Sequence, residues 1–262
     1  MGRGANSKQE EAIFNFRDFG GVATADGRRV RSGQLYRCGQ LSHVHDTAAD
    51  ELRALNFALV ADLRHPGERA KAPSFWIDDH ADRILAHGQT TDQTAPHLNF
   101  FRPGMTDIDA IDRRYGDFYR DLPFNPVYRS LYSEILDRMA DGATPVLIHC
   151  SAGKDRTGLL AALILTILDV PFDAIVADYL RSKDALTAGP LRAQLMQRAA
   201  EEGGIAPDDG VMDAVLGVKA DYLAAAFAEI EVRCGSIATY LDGIGVDPVA
   251  RAALVEILVE KN

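Results

Sequence analysis

The sequence predicts an α/β fold with a small central, mostly parallel sheet flanked by helices. Three observations predict it. Short apolar runs suited to buried strands fall at residues 57–63 and 84–86, and again at Val146–Leu147–Ile148. Helix-length runs dominate the second half of the chain. Between the last strand-like run and a long apolar stretch, Gly158 to Leu168, lies a short loop rich in glycine, hydroxyl and charge, as in a strand–loop–helix unit.

Taken in order, residues 1–12 are polar and lack the apolar core of a secretory signal. They read as a disordered tail ahead of a single domain over 13–262. Asn15–Phe16–Arg17–Asp18–Phe19–Gly20–Gly21 ends in a glycine pair and reads as a turn before extended structure from Val30 to Arg37. Thr47–Ala48–Ala49–Asp50 has the form of a capping box, with Ala48, Leu52 and Leu55 on one face of the helix it opens. Two buried strands follow, at 57–63 and 84–86.

From Gly88 to Pro126 the periodicity fades among Pro96, Pro103, Pro123 and Pro126, which predicts irregular structure and short helices. Connections of this length often serve as lids or binding loops. Val127, Leu131, Ile135 and Met139, spaced four apart, predict an amphipathic helix. The strand at Val146–Leu147–Ile148 and a helix from about Asp155 to Leu168 come next. Further helices are expected at 172–180, 188–200, 211–231, 237–241 and 248–258, with 185–233 a second candidate lid or insertion.

Bulk properties narrow the function. The chain has 262 residues, 47% of them hydrophobic and 25% charged, enough for one substantial core in a soluble protein. A net charge of −10 lacks the basic footprint of a nucleic-acid binder and disfavours adsorption to an anionic membrane. The run Leu159 to Leu168 falls short of the roughly 20 residues a bilayer span needs, so no stable membrane insertion is expected. Cys38, Cys150 and Cys234 cannot build a disulfide framework and fit a reducing, cytoplasmic compartment.

The chemistry concentrates in His149–Cys150–Ser151–Ala152–Gly153–Lys154–Asp155–Arg156–Thr157–Gly158. A loop at a helix N-terminus aims backbone N–H groups at one point, where the helix dipole adds positive potential. Such a nest holds a phosphate, and it also stabilises a thiolate. Cys150 then serves as nucleophile, and Arg156 offers a planar fork to two phosphate oxygens. Gly153 lets the backbone bend around the ligand. Thr157 is placed to hydrogen-bond the sulfur, and Ser151, Ala152, Gly153 and Lys154 complete the substrate-binding loop.

His-Cys, five residues, Arg and then Thr is the signature of the cysteine-dependent protein-tyrosine phosphatase superfamily, which this sequence resembles. More narrowly it is similar to the bacterial family typified by mycobacterial protein-tyrosine phosphatase B, which acts on phosphotyrosine and phosphoinositides. Lys154–Asp155, the 15–21 segment, Tyr36–Arg37, Asp62–Leu63–Arg64, Asp178–Tyr179–Leu180 and the 235–241 segment carry the narrower likeness. Cys38 departs from it, standing where the family more often has serine. The resemblance implies a phosphatase-type strand–loop–helix with a helical lid, no cofactor, and phosphoprotein or phosphoinositide substrates. It also implies that Asp155 is the general acid. Asp78, in the Trp76–Ile77–Asp78–Asp79 segment, is the alternative.

Other readings stay open beside these. Lys154 pairs with a carboxylate or serves as a second cation for a multiply phosphorylated substrate. Asp62 and Arg64, at the end of a strand, either bind substrate or form a structural ion pair. His149 reads as orienting the loop, Arg17 and Asp18 as tying down the N-terminal segment, and Cys38 and Cys234 as inert thiols. Two rival functions are a metal-dependent hydrolase built on His43 and His45, and a non-catalytic phosphate-binding module using the same loop.

Overall fold

The strand that runs into the loop is the middle of the sheet. In the computed structural model, which describes residues 13–42, 44, 46–76, 81–89, 107–187, 192–193, 196–197 and 208–261, five strands are β1 (Arg17–Asp18), β2 (Leu35–Cys38), β3 (Leu59–Asp62), β4 (Ile84–Ala86) and β5 (Val146–His149). Their order is β1-β2-β5-β3-β4, with β2, β5, β3 and β4 mutually parallel and β1 antiparallel to β2. All four residues of β5 are buried, as expected for a continuous Val-Leu-Ile run covered on both faces.

The register sets the site. Cys38 and Asp62 both lie opposite His149, and Asp62 lies opposite Ala86, so the C-terminal ends of four strands form one row. In parallel sheets this edge is where ligand sites gather.

The helices are α1 (Asp46–Ala54), α2 (Pro66–Lys71), α3 (Ile108–Asp121), α4 (Pro126–Ala140), α5 (Asp155–Ile167) and α6 (Phe172–Leu180). They continue as α7 (Ser182–Thr187), α8 (Asp209–Leu216), α9 (Ala220–Cys234), α10 (Ile237–Gly243) and α11 (Pro248–Leu258). Every residue of α5 from Asp155 to Leu165 is buried, so this helix is the centre of the core. Each fully buried leucine there stabilises the fold by roughly 1.5–3 kcal/mol. Asn125 starts α4 by accepting from Val127 N–H at 3.0 Å, with Pro126 at the first helical position. The predicted face, Val127, Leu131, Ile135 and Met139, is buried.

Three expectations need correction. The 107–126 part of the supposed irregular stretch is mostly the 14-residue helix α3, capped by Asp107, whose carboxylate accepts from Asp109 N–H at 3.0 Å. Its buried Ile111, Tyr115 and Tyr119 recur at helical spacing, but seven charged residues in IDAIDRRYGDFYRD mask the pattern. The single helix expected over 211–231 is two, α8 and α9, because Gly217 leaves the helix in extended conformation (φ −62°, ψ 163°). The 15–21 segment contains strand β1 inside the expected turn. Two residues are too few to show a period. The tail 1–12, the residues around Pro96 and Pro103, and most of 188–200 lie outside the described residues. Among the described residues no helix is long and apolar enough to cross a membrane.

Candidate active site

The loop leaves β5 at Cys150 and enters α5 at Asp155. Cys150, Ser151, Ala152, Lys154, Asp155, Arg156 and Thr157 are all buried. Gly153 has φ +68°, and a Cβ there would lie 2.3 Å from the Cys38 carbonyl oxygen, so only glycine fits.

The carbonyls of Ser151, Ala152 and Gly153 find donors on the β2 side. Ser151 O accepts from Gln40 N–H at 3.0 Å. Asn15 Nδ2 donates to Ala152 O at 3.3 Å and to Gly153 O at 2.8 Å, and Arg37 Nη2 donates to Gly153 O at 2.9 Å. In a trans peptide the N–H points opposite to the preceding carbonyl. The N–H groups of Ala152, Gly153 and Lys154 are therefore turned away from this network, to the other side of the loop. Beside the N-terminus of α5, that is the form of an anion nest.

A buried ion cluster holds these donors. Asp178 accepts from Arg17 Nε at 2.7 Å and from Arg37 Nη1 at 2.8 Å. Arg17 also donates to Asn15 Oδ1 and, at 3.1 Å, to Ser182 Oγ. Burial works to raise the Asp178 carboxyl, but Arg37 and Arg17 outweigh it and hold it below its ordinary range. Burial, then the Arg37 charge, bring Arg17 down to about 10. Arg17 thus does tie the N-terminal segment down, and through Asn15 it also shapes the loop.

Arg156 is fully buried, and its end is gripped by Glu68 of α2: Nη1 to Oε2 at 2.7 Å and Nη2 to Oε1 at 2.8 Å. Nη1 also donates to Leu63 O at 3.1 Å, while Nε has no hydrogen-bond partner among the described residues. Ser151 Oγ donates to the same Glu68 carboxylate. Burial favours the neutral acid, yet the Arg156 charge prevails and keeps Glu68 well below the usual carboxylate range.

The helical side of the loop is held differently. Lys154 Nζ donates to Tyr115 Oη, Val215 O and Gly217 O, each at 2.9 Å, and lies 3.8 Å from Asp155 Oδ1. Its three donors are thus spent on α3 and on the C-terminal end of α8, where the break at Gly217 leaves carbonyls to cap. Burial lowers the Lys154 pKa, with Asp155 opposing. Asp155 Oδ1 accepts from Tyr119 Oη at 3.0 Å, and Tyr119 Oη lies 2.7 Å from Tyr179 Oη. Ala152 packs with Leu186, Met212 and Leu216, so α7 and α8 cover the loop. Thr157 Oγ1 is buried with no hydrogen-bond partner among the described residues.

Asp62 and Arg64 are committed to each other, Nε to Oδ1 at 2.9 Å and Nη2 to Oδ2 at 2.7 Å, and Arg64 also donates to Ser74 Oγ and Ala72 O. His149 Nε2 sits 3.7 Å from Asp62 Oδ2, beyond hydrogen-bond range, and burial lowers its pKa to about 4, against the pull of Asp62. Asp62 and His149 are register partners at the C-terminal ends of β3 and β5, and Arg156 reaches the carbonyl of Leu63, between Asp62 and Arg64. Cys38, Cys150 and Cys234 are free thiols, and burial, then the neighbouring Cys150, push Cys38 well above its ordinary pKa. Asp78, His43 and His45 lie outside the described residues. Among the described residues no group of His, Cys, Asp and Glu is arranged to hold a metal.

Sequence reasoning missed Glu68, Tyr119 and the Asn15–Arg37–Asp178 link. Glu68 sits three residues after His65, the spacing of the capping box that opens α2, but nothing local marks its partner 88 residues away.

A model of the tyrosine phosphatase family matches residues 9–260. A Cupriavidus necator protein provisionally named a tyrosine-protein phosphatase is 36% identical over 90% of this chain and 84% of its own length. The triple specificity protein phosphatase PtpB of Mycobacterium tuberculosis is 35% identical over 89% of this chain and 92% of its own. A tyrosine-protein phosphatase of Nostoc commune is 31% identical over 83% of this chain and 71% of its own.

Proposed function

The chain belongs to the tyrosine phosphatase family and is a phosphatase; we propose that it hydrolyses phosphate monoesters in two steps through a phosphocysteine. Cys150 attacks phosphorus while Arg156 and the loop amides hold the equatorial oxygens. Thr157 hydrogen-bonds the sulfur as it leaves. Asp155 protonates the departing oxygen and then activates the water that hydrolyses the intermediate. The domain spans 13–262 and acts in the cytoplasm without a cofactor.

One observation carries this reading: three successive loop carbonyls are drawn to the β2 side, which turns the amides that follow them the other way, in the loop that joins Cys150 to Arg156. Phosphotyrosine is the first-choice substrate. Phosphoserine, phosphothreonine and phosphoinositides are further substrates, in keeping with the name of the triple specificity relative. With α7 and α8 covering the loop, substrate enters when these helices move, and they act as a lid.

Turnover of phosphotyrosine, phosphoserine and mono- and polyphosphorylated inositides, with Cys150→Ser as control, tests the reading. Activity lost in the variant with binding retained supports it. An inactive parent protein supports the binding module instead. Asp155→Asn is expected to slow substrates with poor leaving groups about 10²- to 10⁴-fold and activated aryl phosphates far less. Equal slowing of both, with the selective loss appearing in Asp78→Asn, would move the acid role to Asp78.

A further inference from the structure

We infer that Tyr119 is the positioning residue of the general acid: as the middle of a phenol chain from Tyr179 it occupies Asp155 Oδ1, so that the proton handed to the leaving oxygen rides on Oδ2. The inference rests on the reading of Asp155 as that acid.

Tyr115, Tyr119, Tyr179 and Tyr222 pack ring to ring beside Asp155, and their hydrogen bonds sort them. Tyr115 Oη donates to Val215 O at 2.6 Å, and Tyr222 Oη donates to Asp112 Oδ1 at 2.5 Å. Both of those hydrogens are spent away from Asp155. Tyr119 Oη donates to Asp155 Oδ1 at 3.0 Å and lies 2.7 Å from Tyr179 Oη. A phenol has a single hydrogen. With that of Tyr119 given to Asp155, Tyr179 must be the donor of the second bond. The chain therefore runs from Tyr179 through Tyr119 to Asp155, and each donation polarises the next.

Packing holds the chain in place. Tyr119 of α3 is fully buried; its ring stacks on Tyr222 at 5.7 Å and meets Tyr179 edge-on at 6.2 Å. Tyr179 of α6 lies against Gly158 of α5, where a Cβ would come within 3.0 Å of its ring, so glycine admits the phenol. Burial, then the Asp155 charge, push Tyr119 and Tyr179 well above their ordinary pKa. They act as neutral donors and never as bases. The other titratable groups that act on Asp155 are Lys154, 3.8 Å away in the loop, Tyr115 of α3 and Tyr222 of α9, while Arg37 acts on Tyr179.

In the first step the sulfur–phosphorus bond forms as the bond from phosphorus to the leaving oxygen breaks, and the Oδ2 proton passes to that oxygen. Asp155 is left as a carboxylate, the form to which the Tyr119 hydrogen bond is strongest. A carboxyl pinned at Oδ1 has one orientation, set before substrate arrives.

Tyr119→Phe removes one hydroxyl and keeps the ring. Turnover of phenyl phosphate, with a poor leaving group, and of p-nitrophenyl phosphate, with a good one, is measured across pH beside Tm, alone and in an Asp155→Asn background. On phenyl phosphate kcat is expected to fall about tenfold, and on p-nitrophenyl phosphate less than about threefold. Loss of a donor to the carboxylate raises the Asp155 pKa, so the basic limb of kcat/KM moves about one unit to higher pH. In the Asp155→Asn background Tyr119→Phe adds no selective loss. Equal slowing of both substrates with an unmoved limb and a lowered Tm makes Tyr119 a packing residue and overturns the proposal. A selective loss that persists without Asp155 overturns it too. If Tyr119→Phe does not fold, Tyr179→Phe, which leaves Tyr119 without its donor, is read the same way. A selective loss of about threefold on phenyl phosphate is then expected, and equal slowing again overturns the chain. An Asp155→Asn enzyme that treats both substrates alike overturns the acid reading itself, an outcome distinct from these.

Discussion

The two sides of the loop are held by opposite means. On the β2 side, charged donors that are themselves paired with Asp178 grip the loop carbonyls. On the helical side a single loop cation, Lys154, grips neutral dipoles of α3 and α8. Removing Asp178 leaves two buried arginines without their shared carboxylate, whereas removing Lys154 leaves two carbonyls and a phenol unsatisfied and takes one cation from beside Asp155. The β2 side, where two buried arginines share one carboxylate, is therefore the floor of the site, and the helical side is the cover that the proposed function takes to move. The contrast extends to the two cations of the loop. Arg156 meets a carboxylate and, among the described residues, its Nε has no hydrogen-bond partner, while all three donors of Lys154 are used.

Breaking the floor has the largest expected effect. Asp178→Asn leaves Arg17 and Arg37 without their counter-ion and should destabilise the protein by about 3–5 kcal/mol in urea unfolding, with activity falling in parallel. A loss below about 1 kcal/mol would remove the distinction between the sides.

His149, on the row of strand ends, gives the next effect. Its folded pKa of about 4 lies below the ordinary 6.5, so between these values the unfolded chain binds the extra proton and stability falls as pH falls. The window runs from about pH 6.5 down to pH 4, and between pH 7 and pH 5 the loss is about 2 kcal/mol. Unfolding free energies measured across this range should show a slope that His149→Asn flattens. An unchanged slope would assign the acid sensitivity to other groups.

Lys154→Met is the mildest break. It frees two carbonyls and a phenol but also removes a buried charge, for an expected net loss of about 1 kcal/mol, with aryl phosphate turnover within tenfold of the parent. A loss confined to polyphosphorylated inositides would instead give Lys154 the role of a second phosphate-binding cation, reached when the cover opens.

How far the sequence disclosed these features follows from the range of the interactions. β5, the loop and α5 are contiguous, and their apolar runs and glycine placement are visible without partners. Helix α4 shows its face through Val127, Leu131, Ile135 and Met139. Helix α3 stays hidden because its buried tyrosines are interleaved with charges that face solvent or other helices. The floor is a different case: Asn15, Arg37 and Asp178 each belong to a noticeable local motif, but their junction spans 141 residues between Arg37 and Asp178. Only folding brings that junction together. Asp62 and Arg64 stay ambiguous for the converse reason. A pair of charges at a strand end reads equally as a binding site or a structural ion pair, and only the folded geometry shows that they bond each other.

The most direct test of the account is to trap the phosphoenzyme. Protein mixed with a phosphate-labelled phosphotyrosyl peptide, quenched in acid within the first turnover and digested, should carry label on the peptide containing Cys150 and none in Cys150→Ser. Label on another residue, or turnover by Cys150→Ser that a chelator abolishes, would contradict it.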